Sequence, residues 1–169
     1  MAERIILKAR VDGIDLADVI TSEAGIDTAT WEAQPVTLRD DEVSIVENDP
    51  EEDETFSHEN DAPEDYDISG TGMTAVGSFI KASYEQMAEL LGGKTAGEDA
   101  AKKYLHSSKK LVLEKAIRFR LKNGGSIIIP CAKGSVQFNA NMGFDGLLKF
   151  PFRFRALTQT GFDTDLVIM

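Results

Sequence analysis

The chain has 169 residues, of which 42% are hydrophobic and 28% charged, and its formal net charge is −11. This length fits one domain over residues 1–169, and the absence of an apolar run near the roughly 20 residues that cross a bilayer excludes a membrane span. The N-terminal MAERIILKAR lacks the roughly 7–15-residue apolar centre of a secretory signal, so we expect a cytoplasmic location.

Charge is divided unevenly along the chain. Residues 40–67 hold 14 acidic residues and no Lys or Arg, so the other 15 acidic residues face all 18 basic ones and the remainder carries +3. Residues 100–155 hold 12 basic residues against only Glu114 and Asp145. The net charge therefore combines a strongly acidic segment with a mildly basic body.

The first third gives weak structural signals. Asp12-Gly13 predicts a turn, and Trp31, the single tryptophan, is interpreted as a packing anchor. Residues 14–34 follow no clear period, and residues 35–46 contain two short strand-like pieces. A half-buried strand is predicted before the turn, because Ile5, Leu7, Ala9 and Val11 alternate with Arg4, Lys8 and Arg10.

The acidic segment, about residues 40–67, predicts a long inserted loop, here called the acidic arm. It contains Pro50 and Pro63 and no apolar periodicity, so burial cannot offset the entropy lost on ordering. Two interpretations stay open: a solvated linker, and an arm that orders on a basic partner surface. Calcium binding is a weaker third, because Glu54 stands where an EF-hand needs glycine. The predicted contact residues of the arm are Glu47, Asp49, Glu51, Glu52, Asp53, Glu54, Glu59, Asp61, Glu64 and Asp65.

The period of apolar residues changes after the acidic arm. YDISGTGM predicts a strand, and Ile80, Tyr84, Met87 and Leu91 then fall at helical spacing. We expect one helix over about 79–91, capped by Ser78 and ended by Gly92-Gly93. Residues 94–110 are polar and predict a loop with a partial helical turn.

The last third predicts strands only. Residues 111–121 and 126–130 flank Asn123-Gly124, a strong hairpin signal. Two alternating runs follow, over 136–142 and 148–156, and Pro151 favours an edge strand or a bulge. The expected fold is mainly β: an antiparallel β-sandwich or barrel of seven to nine strands with one flanking helix.

Basic residues on the outer faces of these strands predict a receiving surface for an acidic partner. The phenylalanines of residues 148–156 alternate onto the opposite face, so base stacking with nucleic acid is not favoured. The predicted surface consists of Arg118, Arg120, Lys122, Lys149, Arg153 and Arg155.

No combination of residues predicts an enzyme, a cofactor or a metal site. Gly70 to Ala75 has the form G-x-G-x-x-A, but no second parallel strand follows the helix, so a glycine-rich strand is favoured over dinucleotide binding. Gly93-Lys94-Thr95 lies at a helix C-terminus, which repels phosphate. His58 and His106 lie in polar segments without a nucleophile motif, and Cys131, the single cysteine, is interpreted as a buried apolar residue.

The order of elements, together with three segments, resembles the major tail tube proteins of long-tailed bacteriophages and prophages. The segments are the helix SYEQMAELLGG, the hairpin KNGGSIIIP and the strand LLKFPFRFRALTQ. The resemblance covers roughly residues 65–160, and related secretion-system tube proteins share the fold.

The resemblance implies a homo-oligomer: a hexameric ring that stacks into a hollow virion tail tube, assembled in the bacterial host cytoplasm. Other tail proteins would be partners, and DNA would pass transiently and without sequence preference through the lumen. Residues 47–67 would then form an arm between subunits or rings. We expect Arg118, Arg120, Arg153 and Arg155 to face protein partners or the outside, because a strongly positive lumen would bind phosphates. The alternative is a β-sandwich that binds calcium or a small ligand.

Overall fold

The computed structural model describes residues 8–70 and 72–169. This part of the chain forms two α-helices, α1 (Glu23–Thr28) and α2 (Tyr84–Leu91), and a 3-10 turn at Asp99–Ala101. Its strands are β1 (Val11–Ala17), β2 (Glu32–Ala33), β3 (Ser44–Glu47), β4 (Glu51–Phe56), β5 (Pro63–Ser69), β6 (Met73–Phe79), β7 (Lys94–Ala96), β8 (Lys103–Leu105), β9 (Leu113–Leu121), β10 (Ser126–Val136), β11 (Asn139–Ala140), β12 (Leu148–Ala156) and β13 (Val167–Ile168).

Nine of these strands form one antiparallel sheet. Its main order is β2-β1-β9-β10-β12-β6-β3, with β11 paired to β12 and β13 paired to the first residues of β10. Two separate hairpins, β4–β5 and β7–β8, complete the strands of the described residues. The predicted fold class, mainly β and antiparallel with a flanking helix, is confirmed.

The main core lies between the inner face of the sheet and α2. Phe79, Phe150 and Phe154 are each 1% exposed, and the rings of Phe79 and Phe152 lie 4.6 Å apart. Helix α2 adds Met87, Leu90 and Leu91 to this cluster. Each such side chain contributes about 1.5–3 kcal/mol when it is fully buried, so this face accounts for most of the hydrophobic stabilisation.

A smaller cluster covers part of the outer face of the sheet. Helix α1 and the C-terminal segment pack there against Ala17, Ile20, Ala116 and Ile128. Trp31 belongs to this cluster, which confirms it as a packing residue. The outer face is therefore closed over β1, β9 and the start of β10, while Arg153 and Arg155 of β12 remain exposed.

The predicted turn at Asp12-Gly13 is wrong, because both residues lie inside β1. The pairing with β9 shifts by one residue between Val11 and Gly13. A Cβ atom at Gly13 would lie 2.9 Å from Cζ of Arg120, so the missing side chain makes room for that guanidinium. The first part of the predicted strand, up to residue 7, lies outside the described residues, and Ala9 precedes β1.

The predicted helix begins too early. Helix α2 starts at Tyr84. The Ser83 hydroxyl accepts a hydrogen bond from the amide of Gln86, and Oε1 of Gln86 accepts one from the amide of Ser83, which forms a capping box. Ser78, the predicted cap, lies buried in β6, because Phe79 beside it pairs with Phe150 in the sheet. The predicted stop is confirmed, since Gly92 caps the helix with φ of 83°.

The hairpin predicted at Asn123-Gly124 is confirmed between β9 and β10. Gly124 has φ of 86°, and Oδ1 of Asn123 accepts a hydrogen bond from the amide of Gly125. The prediction for Pro151 is wrong, because β12 is paired on both sides. Gln137, which lies between β10 and β11, donates its amide to the carbonyl of Pro151. Because proline has no N–H, the return hydrogen bond to Gln137 is missing, and the ladder has a gap there.

Candidate self-assembly surfaces

The acidic arm contains a regular β-hairpin, formed by β4 and β5. Every residue of both strands is exposed, in agreement with the missing apolar periodicity. The connecting turn is closed by Glu64, whose Oε1 accepts bonds from Ser57 at 2.9 Å and Asn60 at 3.4 Å. The prediction of an irregular loop is therefore wrong for these two strands, because their backbone groups pair with each other.

The β4–β5 hairpin continues the ladder of the sheet edge. Glu47 lies opposite Met73 in the β3–β6 pair, and Glu51 lies opposite Ser69 in the hairpin, so no residue is gained or lost between them. Asn48 lies between β3 and the hairpin. Its backbone amide donates a hydrogen bond to the carbonyl of Gly72 at 2.8 Å, and its Oδ1 accepts one from the Thr74 hydroxyl at 2.9 Å. The hairpin is thus an extension of the sheet edge that reaches roughly 30 Å beyond Asn48.

Alternation along this register gives the hairpin two different faces. One face carries Glu51, Asp53, Asp65 and Asp67, together with Thr55 and Ser69. The opposite face carries Phe56, Tyr66 and Ile68, which are 54%, 48% and 53% exposed, beside Glu52 and Glu54. A hydrogen bond with Glu52 raises the pKa of the Tyr66 hydroxyl.

This apolar row on the acidic arm was missed by the sequence analysis. The signal was present, because Phe56, Tyr66 and Ile68 are the large apolar residues in a stretch dominated by carboxylates. Only the register places them together on one face. Exposed apolar side chains that share a face are a common feature of surfaces that bind a partner.

Arg118 and Arg120, both predicted for the receiving surface, are ion-paired inside the chain. Both contact Oδ2 of Asp15, Arg118 at 2.6 Å and Arg120 at 3.0 Å, and the Asp15 side chain is 3% exposed. The guanidinium of Arg118 also lies 4.8 Å from the ring centre of Trp31. These two arginines hold β9 to β1 and to the smaller cluster.

Lys149 is likewise engaged within the chain. Its ammonium group donates to Oδ2 of Asp41 at 2.8 Å, and the same oxygen accepts from the Ser78 hydroxyl at 2.6 Å. The hydrogen bond from Lys149, followed by that from Ser78, lowers the pKa of Asp41. The Asp41 side chain therefore binds residues of β12 and β6, although Asp41 lies in the acidic segment of the sequence.

The exposed basic residues of the open outer face are Lys133, Arg153 and Arg155. Lys133 lies opposite Arg155 in the β10–β12 pair, and Arg153 is two residues away on the same face. Glu114 lies opposite Lys133 in the β9–β10 pair. Lys122, also predicted for the receiving surface, is exposed after β9 at the far end of the sheet. The six predicted residues thus share an outer face but are spread along it.

Residues considered for chemistry are placed apart from one another. Cys131 is 5% exposed, and burial, followed by the nearby carboxylate of Glu114, raises the pKa of its thiol. His58 lies in the hairpin turn, and His106 contacts the ring of Tyr104 edge-on. Gly72 leads into strand β6 instead of a helix, so the glycine-rich segment lacks the helix N-terminus that a dinucleotide needs.

Among residues 8–70 and 72–169, no group of three or more His, Cys, Asp and Glu side chains is arranged to hold a metal ion. Within the same residues, no helix is long and apolar enough to span a membrane.

No protein-family model matches the chain, and a search of curated proteins finds no match.

Proposed function

We propose that this protein is a structural subunit that self-assembles into rings, which stack into the hollow tail tube of a long-tailed bacteriophage or prophage. The observation that carries the proposal is the β4–β5 hairpin, an exposed acidic extension of the sheet edge with a row of exposed apolar side chains. The same chain exposes Lys133, Arg153 and Arg155 on its outer face.

Two unlike and complementary surfaces are what a closed ring of identical subunits requires. In such a ring, one surface of each subunit contacts a different surface of the next. The hairpin carries carboxylates on both faces, and the β10–β12 face carries the opposite charge. We therefore assign the hairpin to the inter-subunit or inter-ring contact and Lys133, Arg153 and Arg155 to the surface that receives it.

The ring is proposed to be hexameric, with DNA passing through its lumen and other tail proteins bound at its ends. Arg118 and Arg120 contact Asp15, so their charge is compensated within the subunit. If Lys133 and Arg153 contact the hairpin of a neighbour, their charge is compensated as well. A lumen free of strong positive potential lets phosphates pass without being held.

Electron microscopy in negative stain and sedimentation velocity test this proposal directly. We expect the concentrated protein to form rings or tubes of uniform diameter at low salt and to dissociate as salt screens the contacts. A protein that remains monomeric at every salt and protein concentration would refute the proposal.

Charge reversal locates the contact. The variant Asp53→Lys/Asp67→Lys should lose rings, whereas Glu32→Lys/Glu98→Lys makes the same change in net charge at exposed sites outside the hairpin and should keep them. Mixing the hairpin variant with Lys133→Glu/Arg153→Glu should restore mixed assemblies, because the two reversed surfaces again attract. Equal behaviour of both double variants would contradict the assignment of the hairpin.

The alternative, a module that binds calcium or a small ligand, is tested with the same sample. Titration calorimetry with calcium and a thermal-shift panel of small ligands would have to show saturable binding by the monomer. Binding without any assembly would favour this second function over the first.

A further inference from the structure

A second exposed apolar feature lies at one end of the sheet, in the loop between β11 and β12. Met142 is 90% exposed and Phe144 is fully exposed at its tip, while Leu147 and Leu148 at its base are about two-fifths exposed. Exposed apolar tips of this size mark a contact site rather than ordinary surface.

Hydrogen bonds within the loop fix its shape. The amide of Gly143 donates to Oδ1 of Asn141 at 3.1 Å, and the amide of Gly146 donates to the carbonyl of Gly143 at 3.0 Å. The amide of Asn141 donates a hydrogen bond to the carbonyl of Leu147 at 3.2 Å, which closes the base of the loop. The loop therefore presents its two apolar side chains as a preformed knob, which lowers the entropy cost of binding.

A pocket of suitable size and lining lies on α1 and the C-terminal segment. Its volume is about 470 Å³, and its apolar wall includes Ile26, Phe162, Leu166 and Val167. An apolar cavity of about 150 Å³ accommodates a benzene ring, so this pocket has room for Phe144 together with Met142. Glu23 and Asp27 contribute charge to its lining.

The knob cannot reach the pocket of its own chain. The pocket wall at Val167 pairs with Ile128 near the start of β10, whereas the knob follows β11, beyond the end of β10 at Val136. Thirteen residues of extended chain from Ile128 to Asn141 span roughly 43 Å. The two features thus lie at opposite ends of the sheet, which is the arrangement of a head-to-tail contact.

Charge supports a second copy as the occupant. Lys110 donates from Nζ to the carbonyl of Val136 at 2.8 Å, which places a basic side chain at the knob end of β10, and Lys109 beside it is exposed. Glu23 and Asp27 at the pocket have the opposite sign. The knob itself also carries the exposed Asp145 beside Phe144. An approaching copy therefore brings two lysines and one carboxylate toward the two carboxylates of the pocket, which leaves a net attraction.

We infer that Phe144 and Met142 of one copy insert into the α1–β13 pocket of the next, in a head-to-tail contact. Such a contact joins two unlike surfaces and does not close on itself in a dimer. Because the two surfaces lie at opposite ends of the sheet, successive copies add along that direction. It deepens the proposed function by naming the surfaces that join successive copies, and to that extent rests on it. It uses none of the residues assigned to the hairpin contact.

Two complementary variants test the inference. Phe144→Ser removes the knob and keeps the pocket, whereas Thr164→Trp fills the pocket and keeps the knob. Loss of a central aromatic anchor should weaken the association at this interface by about 30-fold or more. Val112→Ser, which changes an exposed apolar residue elsewhere, is the matched control and should associate like the unmodified protein.

Mixing the two variants, each also carrying Asp53→Lys/Asp67→Lys so that the ring contact is absent, gives the decisive measurement. Each variant alone should fail to elongate, but an equimolar mixture should form a 1:1 dimer in sedimentation velocity, because one intact knob meets one intact pocket and both ends are then blocked. Unchanged elongation of either variant, or no dimer in the mixture, would overturn the inference. Matching circular dichroism and thermal midpoints show that both variants fold.

The outcomes also separate this inference from the proposed function. Tubes that persist in Phe144→Ser but disappear in Asp53→Lys/Asp67→Lys would overturn the knob contact alone. Chains of copies that depend on Phe144 but never form hollow rings would overturn the tail tube and retain the knob contact. A monomer at every concentration would overturn both.

Discussion

Asp53 lies directly opposite Asp67 in the ladder of the β4–β5 hairpin, and both side chains are exposed. Like charges in directly opposed positions destabilise a pair of strands, and an isolated two-stranded hairpin is only marginally stable in water. Removing the repulsion between these two carboxylates is therefore expected to stabilise the hairpin.

Replacing one member of this pair should stabilise the hairpin in the monomer. Asp67→Lys turns the repulsion into attraction and should raise the protection of β4 and β5 amides from hydrogen exchange by about fivefold. Glu59→Lys makes the same charge change in the turn, without an opposed acidic residue, and serves as the control. Equal protection in the two variants would show that the opposed pair has no special cost.

The buried carboxylate of Asp15 makes Arg118 important for stability. Arg118→Ala leaves Asp15 with Arg120 as its remaining basic contact and should lower the free energy of unfolding by about 2–3 kcal/mol. The exposed control Arg153→Ala should change it by less than about 0.5 kcal/mol. Urea unfolding followed by Trp31 fluorescence measures both, and similar values for the two variants would contradict the structural role of Arg118.

Gly134 is required by the close approach of β10 and β12. A Cβ atom there would overlap the carbonyl oxygen of Arg153 and lie 2.7 Å from Cα of Phe154, and these backbone atoms cannot rotate away. Gly134→Ala should therefore cost about 3 kcal/mol or more. At Gly70 nothing lies within 4 Å of the added atom, so Gly70→Ala is the matched control. Thermal unfolding should separate the two variants clearly.

The contact of Asp41 with Lys149 and Ser78 predicts a dependence of stability on pH. Because the folded-state pKa of Asp41 lies below the ordinary 3.8, its contribution is complete above that value and is lost as the pH falls through the folded-state pKa. Asp41→Asn should thus be less stable than the unmodified protein at neutral pH, with the difference shrinking below pH 3.8. A difference that stays constant in acid would contradict this account.

Alternating strands were predictable because one face of each is buried. The pattern over 148–156 places the phenylalanines inside and the basic residues outside, as the structure has them. Local turn and cap signals were less reliable, because tertiary contacts compete with them. The missing side chain of Gly13 makes room for the Arg120 guanidinium, and Gly13 does not form a turn. Ser78 is held in the sheet by the pairing of Phe79 with Phe150.

The candidate surfaces were only partly predictable for a related reason. Charge composition identifies the acidic arm, but the sequence does not show which acidic residues belong to the sheet. Asp41 pairs with Lys149, and Asp15 with Arg118, across more than 100 positions of sequence, so these partners become visible only after folding. The apolar row of the hairpin likewise depends on the register of β4 against β5.

The unbroken register from the β3–β6 pair into the hairpin restricts how the length of the arm can vary. Inserting two residues in each strand lengthens the reach by roughly 7 Å and leaves every side chain beyond the insertion on its original face. Inserting one residue in each strand exchanges the acidic and apolar faces. Arms of different length can therefore be built on this fold by adding four residues at a time, and each longer arm keeps the same side chains on the same faces.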